Sequence, residues 1–473
     1  MISSSAIRHR QNLILRIKRP SPMDPTTERL VDYTLATRFE DLSEPVIIAC
    51  KDRLLDTLGC IAGGYNHPVA IATRNFAGRY RMDRPATIIG NGCAATPDIA
   101  AFANGVGLRI LDMNDNYRVK SGGHPSDILG ALFAGAELGT CDGRSFLTAM
   151  AIGYEIYCSI CDATDINGKG WDQPVFGVVA SALTAGRLMG LGREQLGHAL
   201  AMALVPNMAM IQTRKGQLSA WKGCAAANAA RNGLFAALLA EEGFTGPEQP
   251  IEGTHGFWDI VGEFEWPLQS GEPPERIRGS DMKAFPICVH GQTAVWVALG
   301  LREKLQTEKI ASVRIETYHR AFEMMGQDES RWAPTTRETA DHSLPYVVAA
   351  ALLNGPIDET AFAPDALKDG KLSGLMQKIT VTATEEMTSR HPAGMPCRLT
   401  ITLDDGSEFA HQQDFQKGHP SNPMSEAELS TKFKNLFATY GNEDQADEVI
   451  DIVRRFEEAE AVAELITAMG KRS

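Results

Sequence analysis

The feature that most constrains the fold is a set of long segments in which small and apolar residues fall on more than one side of a helix. Residues 219–241 (SAWKGCAAANAARNGLFAALLAE) carry a small residue every three to four positions, and Gly243 follows as a helix stop. Residues 44–60 and 175–191 are also apolar at helical spacing. A helix that is apolar on several sides is buried, so residues 27–245 predict a body of closely packed helices.

A different pattern begins after the stretch 270–279, which is rich in proline, glycine and glutamate. Apolar and polar residues alternate over 312–317 and 378–384, as expected for strands with one buried face. Residues 398–413 read as a hairpin whose turn is Asp-Asp-Gly. With a helix expected over 336–353, this part of the chain predicts a smaller α+β unit.

Helical patterns return over 425–439 and 443–469, after two prolines. The sequence therefore predicts a mainly α fold, in which the C-terminal helices complete a large helical domain and a smaller α+β lid is inserted. The predicted parts are a basic extension (1–22), the helical domain (23–270), the lid (271–410) and the C-terminal helices (411–473).

Residues 1–22 contain five basic residues and no acidic one. This composition predicts a disordered basic tail, or a start upstream of the usual one at Met23. The alternative is a mitochondrial transit peptide. The predicted location is the cytoplasm, or the mitochondrion if the segment is such a peptide.

The overall charge limits the classes of partner. Lys and Arg number 46 against 59 Asp and Glu, which gives a formal net charge of −13. This balance argues against nucleic acid and anionic lipid as partners. The sequence also has no uncharged apolar run long enough to span a bilayer. The acidic balance does not exclude a small anionic substrate, which requires a local cluster of basic residues.

The nine cysteines indicate free thiols rather than a disulfide framework. Cys158 and Cys161 form the only C-x-x-C, within an apolar helical segment. Two thiols do not complete a zinc site, so we interpret the pair as core packing rather than a redox or metal motif.

Titratable residues are most concentrated in 111–127 (LDMNDNYRVKSGGHPSD). Two glycines precede His124, and the proline after it disfavours helix, so His124 is expected on a loop at a helix start. Ser126 or Asp127 is expected to cap the helix over 128–138. A histidine in such a place can act as an acid or a base, and the alternative is a turn or capping histidine.

Three other clusters contain candidate site residues. Lys222 opens a helix of small residues and is costly to bury without an anion, unless it reaches the surface. Lys283 and His290 flank a short apolar segment at the expected domain boundary, where ligand clefts are common. His342 and Tyr346 are expected one helical turn apart, and His342 alternatively bonds locally at a helix entry.

Several well-known motifs are missing. The sequence has no G-x-x-x-x-G-K-[ST] loop, no H-E-x-x-H and no G-x-S-x-G, and the run Gly-Asn-Gly at 90–92 lacks the rest of a dinucleotide fingerprint. Nucleotide hydrolysis, zinc proteolysis and serine-hydrolase chemistry are therefore unsupported.

Taken in order, several blocks resemble the 2-methylcitrate dehydratase family, also called MmgE/PrpD. The blocks are LDMNDNY, GGHPSD, GWDQP (170–174), RKGQLSAWKG (214–223), MKAFPICVHGQTA (282–294), ETADHSLPY (338–346) and HPSNPMS (419–425). The resemblance covers residues 27–465. It implies a helical domain with an α+β lid, a homodimer and no required metal or cofactor. It also implies small di- or tricarboxylate substrates.

The resemblance also implies roles for individual residues. The catalytic residues are expected to be His124, Asp112, Asp172 and Lys283. The substrate-binding residues are expected to be Lys222, Arg214, His290, Tyr346, Asn116 and Ser126. The family's cis-aconitate decarboxylases carry a histidine at the position of Asp172, so the aspartate favours a dehydratase. The stretch before Lys222 and the residue Asn116 depart from the dehydratase pattern, which leaves the substrate open.

The predicted function is a cofactor-independent hydro-lyase acting on a 2-methylcitrate-like acid, by proton abstraction next to a carboxylate. The alternatives are an isomerase or epimerase of the iminodisuccinate type, a cis-aconitate decarboxylase and a non-catalytic helical dimer that binds a carboxylate. An iron–sulfur hydratase that uses Cys158 and Cys161 is a further, weaker alternative.

Overall fold

The computed structural model describes residues 23–77 and 84–472, so the predicted extension 1–22 lies outside the described residues. The first ten helices of the described chain are α1 (Pro25–Ala36), α2 (Glu44–Gly64), α3 (Pro68–Ala77), α4 (Pro97–Arg109), α5 (Leu129–Gly139), α6 (Gly143–Ala163), α7 (Pro174–Leu188), α8 (Arg193–Leu204), α9 (Trp221–Glu241) and α10 (Phe257–Val261). The next six are α11 (Val289–Arg302), α12 (His319–Met325), α13 (Arg337–Ala340), α14 (Leu344–Asn354), α15 (Gly370–Met376) and α16 (Glu385–Thr388). The last three are α17 (Glu426–Phe437), α18 (Glu443–Arg454) and α19 (Val462–Ala468).

The strands form three small sheets. They are β1 (Ala86–Ile88), β2 (Cys93–Ala95), β3 (Tyr117–Arg118), β4 (Gly122–Gly123), β5 (Ile310–Thr317), β6 (Ile379–Ala383), β7 (Cys397–Leu403) and β8 (Glu408–Gln413). Strands β1 with β2 and β3 with β4 make two-stranded antiparallel ribbons. The remaining strands make one sheet in the order β6-β5-β7-β8.

Small residues bring the helices of the body close together, as the sequence predicts. Helix α9 packs against α4, where a Cβ added to Gly105 would lie 2.8 Å from the Cβ of Ala227. On the side facing α7, a Cβ on Gly233 would lie 2.7 Å from the Cβ of Ser181. Larger side chains would push these helices apart, which explains the run of alanines and glycines in α9.

The α+β part is built on the four-stranded sheet. Strand β5 pairs in parallel with β6, with Val313 beside Ile379, and antiparallel with β7, with Ile315 beside Leu399. The predicted hairpin is confirmed, since β7 and β8 pair antiparallel across the turn at Gly406, which has φ +83°. Helices α11 and α14 pack with this sheet around a core of their own.

The C-terminal helices pack on the helical body. Phe433 and Leu436 of α17 lie against Gly59 and Gly63 of α2, where added Cβ atoms would lie 3.2 Å and 2.8 Å from their side chains. Phe437 shares the core of the N-terminal helices. The predicted mainly α fold with an α+β part is confirmed.

Two predicted helices are interrupted. The helix expected over 336–353 is divided into α13 and α14, because the Ser343 side chain caps α14 by accepting from the Tyr346 N–H, with Pro345 in the first turn. The helix expected over 443–469 is divided into α18 and α19 by a short 3-10 turn. No helix among residues 23–77 and 84–472 is both long and apolar enough to cross a bilayer.

Candidate active site

A cavity of about 60 Å³ lies where the helical body meets the α+β part. The helical body contributes residues from the end of α4, from β3 and β4, and from the loops before α7 and α9. The α+β part contributes the segment 283–290 and residues near α12 and α14. The charged and histidine side chains that line the cavity are Arg109, Asp112, Arg118, His124, Asp172, Arg214, Lys283, His290, Arg320 and His342.

Asp112 is the centre of a buried ion cluster. Its backbone has φ +52°, in the left-handed region, just beyond the end of α4. Lys222 Nζ lies 2.8 Å from one carboxylate oxygen, and Lys283 Nζ lies 2.9 Å from the other, which Arg109 also contacts. Burial raises the pKa of Asp112, but the three cations outweigh it and hold that pKa well below its usual range. The carboxylate is therefore ionised, and it binds cations from three parts of the chain, which leaves the cluster with an excess of positive charge.

His124 lies immediately before a 3-10 turn that leads into α5. Its Nδ1 donates to the Asp115 carbonyl at 2.6 Å, so Nε2 carries the lone pair and accepts from Arg109 at 3.0 Å. Burial and the charges of Arg109 and Lys283 hold the pKa of His124 well below its usual value. The imidazole is therefore neutral, as a general base must be.

Close packing fixes the backbone at His124. The His124 N–H donates to the Tyr157 hydroxyl at 3.1 Å, and that hydroxyl donates to Gln173. A Cβ on Gly123 would lie 2.0 Å from the Gln173 Oε1 atom and 2.1 Å from the Tyr157 hydroxyl. Only glycine fits there, which is a second reason for the glycine pair that precedes His124.

Ser126 and Asn116 support the cavity from behind and do not line it. The Ser126 hydroxyl donates to the Asp115 carboxylate at 2.6 Å, so it holds the residue that orients His124. Asn116 exchanges backbone hydrogen bonds with Asp281, and its side-chain oxygen accepts from Arg118 at 3.3 Å. The prediction that Ser126 or Asp127 caps the following helix is wrong, because both lie in the 3-10 turn and α5 begins without a side-chain cap.

Asp172 and Arg214 form a second buried pair on the cavity wall. Arg214 Nε lies 2.7 Å from Asp172 Oδ1, which also accepts from the backbone N–H of Gln173. The other oxygen of Asp172 is buried without a hydrogen-bond partner among the described residues. That atom is free to accept a proton or a hydroxyl from a ligand.

His342 occupies the break between α13 and α14, on the side of the cavity formed by the α+β part. Its Nδ1 contacts Asp341, whose other oxygen accepts from Arg337 at 2.8 Å. Burial and Lys222 lower the pKa of His342, but Cys288 and Asp341 outweigh them and raise it. His342 therefore tends to the protonated form, whereas His124 stays neutral.

Arg118 is the lining cation without a carboxylate partner within the described chain. Arg109 and Lys283 pair with Asp112, Arg214 pairs with Asp172, and Arg320 pairs with Glu323. Among the described residues, the Arg118 side chain bonds only to the Asn116 amide oxygen, and its buried Nε has no partner there. Burial lowers its pKa, which shows the cost of an unpaired guanidinium at this place. An incoming anion would remove that cost.

Family models match both parts of the chain. The MmgE/PrpD N-terminal domain matches residues 28–268, and the MmgE/PrpD C-terminal domain matches residues 285–458. The chain belongs to the MmgE/PrpD family.

Relatives of this MmgE/PrpD protein carry two kinds of name. The chain is 25% identical to the cis-aconitate decarboxylase of Mus musculus over 465 residues, which is 92% of this chain and 91% of the relative. It is 28% identical to the 2-methylcitrate dehydratase of Cupriavidus necator over 421 residues, covering 82% and 84%. The 2-methylcitrate dehydratase of Escherichia coli (strain K12) is also 28% identical, over 413 residues, covering 80% and 83%.

The structure brings six of the ten predicted site residues of this MmgE/PrpD protein to the cavity wall: Asp112, His124, Asp172, Arg214, Lys283 and His290. Lys222 lies behind Asp112, and Ser126 and Asn116 support other residues. Tyr346 is the exception, because its hydroxyl donates to the Ala361 carbonyl at 2.5 Å within the core of the α+β part.

The sequence analysis did not select Arg109, Arg118, Arg320 or Cys288, and it named His342 as a candidate with a local role as the alternative. Of these, Arg118 lies within the titratable segment, and Cys288 and His342 lie within quoted blocks, so density of polar groups was the available signal. Arg320 reaches the cavity only through the tertiary fold.

One group of side chains has the geometry of a metal site in this MmgE/PrpD protein. Ligand atoms of Asp112, Asp341 and His342 lie within 4.8 Å of one another. However, Arg109, Lys222 and Lys283 already neutralise Asp112, and their charge opposes a metal cation at the same oxygens. These residues therefore fit an internal ion cluster better than a metal. The sulfurs of Cys158 and Cys161 are buried, and burial raises their pKa, which agrees with core packing.

Proposed function

We propose that this protein is a lyase that removes water from a small polycarboxylate of the 2-methylcitrate type, using protein groups alone. The observation that carries the proposal is one cationic cavity lined by two histidines with opposite partners: His124 accepts from Arg109, whereas His342 contacts the Asp341 carboxylate. In these surroundings the pKa of His124 is lowered and that of His342 is raised. Such a separation is the arrangement in which one group acts as base and the other as acid. The named relatives, dehydratases and decarboxylases, are lyases and support this class of reaction.

The reaction needs this combination of groups. A carbon next to a carboxylate is a weak acid, so the proton requires a positioned base, and the developing negative charge requires cations. Five basic side chains line the cavity against two acidic ones, so a di- or tricarboxylate is attracted although the whole chain is acidic. The lining side chains of Asp112, Asp172 and Lys283 are buried, which strengthens these interactions.

In the proposed step, His124 takes the proton from the carbon next to a carboxylate. Its Nε2 lone pair points toward Arg109, and the substrate displaces that contact as it binds. Arg109 keeps its bonds to Asp112 and its proximity to Asp127. His342, charged and oriented by Asp341, gives a proton to the departing hydroxyl group, which leaves as water.

Arg118 is proposed as the main anchor for a substrate carboxylate, since the other lining cations have carboxylate partners. Lys283 reaches the same space while bound to Asp112, and it supports the developing charge. Lys222 was also predicted to bind the substrate, but its proposed role is different. It keeps Asp112 ionised and holds it in position from the side away from the cavity.

Dehydration is favoured over decarboxylation by Asp172. Asp172 lines the cavity, its partner Arg214 holds one oxygen, and the other oxygen has no partner among the described residues, so it can accept a substrate hydroxyl. A cationic histidine at this place would instead be suited to a carboxylate. The homodimer and the cytoplasmic location stay predictions.

The test is proton NMR in heavy water with a panel of di- and tricarboxylates. The wild-type enzyme is expected to form an alkene from a 2-methylcitrate-like acid. His124→Ala should lose both alkene formation and deuterium uptake. His342→Gln should lose alkene formation and still exchange the proton for deuterium, because the base remains. His319→Ala, at an exposed histidine of α12, is the matched control and should match wild type.

The same spectra separate the alternatives. Deuterium uptake without an alkene would favour an isomerase or epimerase, and loss of carbon dioxide would favour a decarboxylase. Carboxylates that raise the melting temperature without any turnover would indicate a binding protein. Unchanged alkene formation in His124→Ala would refute the assigned base.

A further inference from the structure

A thiol lines the cavity beside the proposed acid. Cys288 lies directly before α11, and its backbone N–H donates to the Asp341 carbonyl at 3.0 Å. This bond fixes Cys288 next to the segment that carries His342, and both residues line the cavity. The Asp341 carboxylate contacts Nδ1 of the His342 ring. Cysteine, histidine and aspartate, the groups that together activate nucleophilic thiols, therefore lie at one place in the structure.

The charges around Cys288 favour the thiolate. The facing groups are His342, Lys283, Arg118, Arg331, Asp112 and Tyr318. Burial raises the pKa of Cys288, but His342 and Lys283 outweigh burial and lower the pKa to about 7. Burial raises the pKa of seven other cysteines, and the remaining one, Cys93, is exposed.

The same cavity offers unused donors to a carboxylate. His290 is 3% exposed, and its Nε2 has no hydrogen-bond partner among the described residues. The buried Nε of Arg118 is also without one. Both residues line the cavity with Cys288, so a carboxylate bound to them would hold the rest of its molecule near the thiol.

We propose that Cys288 is a covalent modification site for small electrophilic carboxylic acids, and that its adduct blocks the cavity. With an unsaturated acid, the thiolate sulfur forms a bond to the β-carbon, and the electron pair of the double bond moves to the α-carbon. His342 supplies the proton that the α-carbon takes up, so the product is a thioether beside a neutral imidazole. Nothing is oxidised or reduced. The inference goes beyond the proposed dehydration and does not require it.

The test compares iodoacetate with iodoacetamide, two probes that differ in charge, on the whole folded protein. Each forms a carbon–sulfur bond and releases iodide, and peptide mass spectrometry follows Cys288 and Cys93 separately. The ratio of the iodoacetate rate to the iodoacetamide rate should be about tenfold or more higher at Cys288 than at Cys93, because the cavity concentrates anions. Maleate, an unsaturated dicarboxylate, should label Cys288, and Cys288→Ser should abolish that adduct.

The pH dependence gives an independent readout. Alkylation of Cys288 should reach half of its maximal rate near pH 7, whereas an ordinary thiol does so near pH 8.5. His342→Gln should move that midpoint upward, and the wild-type profile decides the matter if this variant does not fold. An equal probe ratio at the two cysteines, a midpoint near 8.5, or no labelling of Cys288 would overturn the proposal. Labelling without any dehydratase activity would support it and refute only the proposed function.

Discussion

Replacing Asp112 by asparagine tests whether the buried ion cluster is held together as the structure indicates. The substitution keeps the size of the side chain and removes its charge. Lys283 would keep its bond to the Asp112 backbone carbonyl at 2.7 Å, and Arg109 would keep His124. Lys222 would lose its sole hydrogen-bonded partner in the described chain while only 3% exposed. Most of the cost should therefore arise from Lys222.

The expected size follows from that stranded charge. Breaking a buried ion pair by removing one partner costs about 3–5 kcal/mol, so Asp112→Asn should lower the free energy of unfolding by about that amount. Lys222→Met alone should cost less, since Asp112 keeps Arg109 and Lys283. The double variant should be more stable than Asp112→Asn, because no unpaired ammonium remains.

Urea denaturation followed by circular dichroism measures the three variants in one double-mutant cycle, provided that each unfolds reversibly. If Asp112→Asn lowers the free energy of unfolding by less than about 1 kcal/mol, the stranded charge of Lys222 is not costly and the prediction is wrong. A double variant that is less stable than Asp112→Asn would also contradict the prediction, because the nearby Asp341 carboxylate would then be sufficient to stabilise the Lys222 charge.

Three further changes give distinct results. Burial raises the pKa of Asp127 to about 7, so the folded state holds a proton that the unfolded chain loses near pH 4, and stability is lost as pH rises between those values. The free energy of unfolding of Asp127→Asn, relative to that of wild type, should therefore rise by up to about 4 kcal/mol between pH 4 and 8. Denaturation at each pH measures this difference, and a difference that does not change with pH would contradict the prediction. Gly123→Ala should lower the melting temperature and the activity, because the added Cβ would meet Gln173 and Tyr157. Gly374→Ala is the control and should change neither, because no described atom lies within 4 Å of the added Cβ. Tyr346→Phe should cost about 1 kcal/mol of stability and leave KM unchanged, since its hydroxyl bonds only to Ala361; a large rise in KM would return Tyr346 to the site.

The sequence predicted the helical body well, because close helix packing requires small residues that are visible as a pattern. It also indicated that Lys222 needs an anion unless its side chain reaches the surface. It did not indicate which anion. The prediction was a substrate carboxylate, whereas in the structure the anionic partner of Lys222 is Asp112. The partner lies 110 positions away, so only the tertiary fold brings the two together.

His342 shows a second limit of prediction from the sequence. Apolar residues at helical spacing continue from α13 into α14, so the pattern predicts one helix, in which His342 would be an ordinary entry residue. The Ser343 cap and Pro345 end that continuity, and the break turns the histidine toward the cavity. Competition between local caps and helical periodicity thus decides whether a site residue is recognised.

The net charge of −13 and the cationic cavity are consistent once each cation is assigned a partner. Most basic side chains at the cavity are held in place by buried aspartates, but the single charge of Asp112 does not balance Arg109, Lys222 and Lys283, so the cavity keeps an excess of positive charge. Arg118 is the exception, since it has an amide partner where the others have a carboxylate. Its location beside His290 and Cys288 places the anion-binding end of the cavity on the side of the α+β part. A substrate carboxylate bound there would draw the two parts of the chain together, because Arg118 belongs to the helical body. Binding and closure of the site would then be one event, driven by the charge that the free protein leaves unpaired.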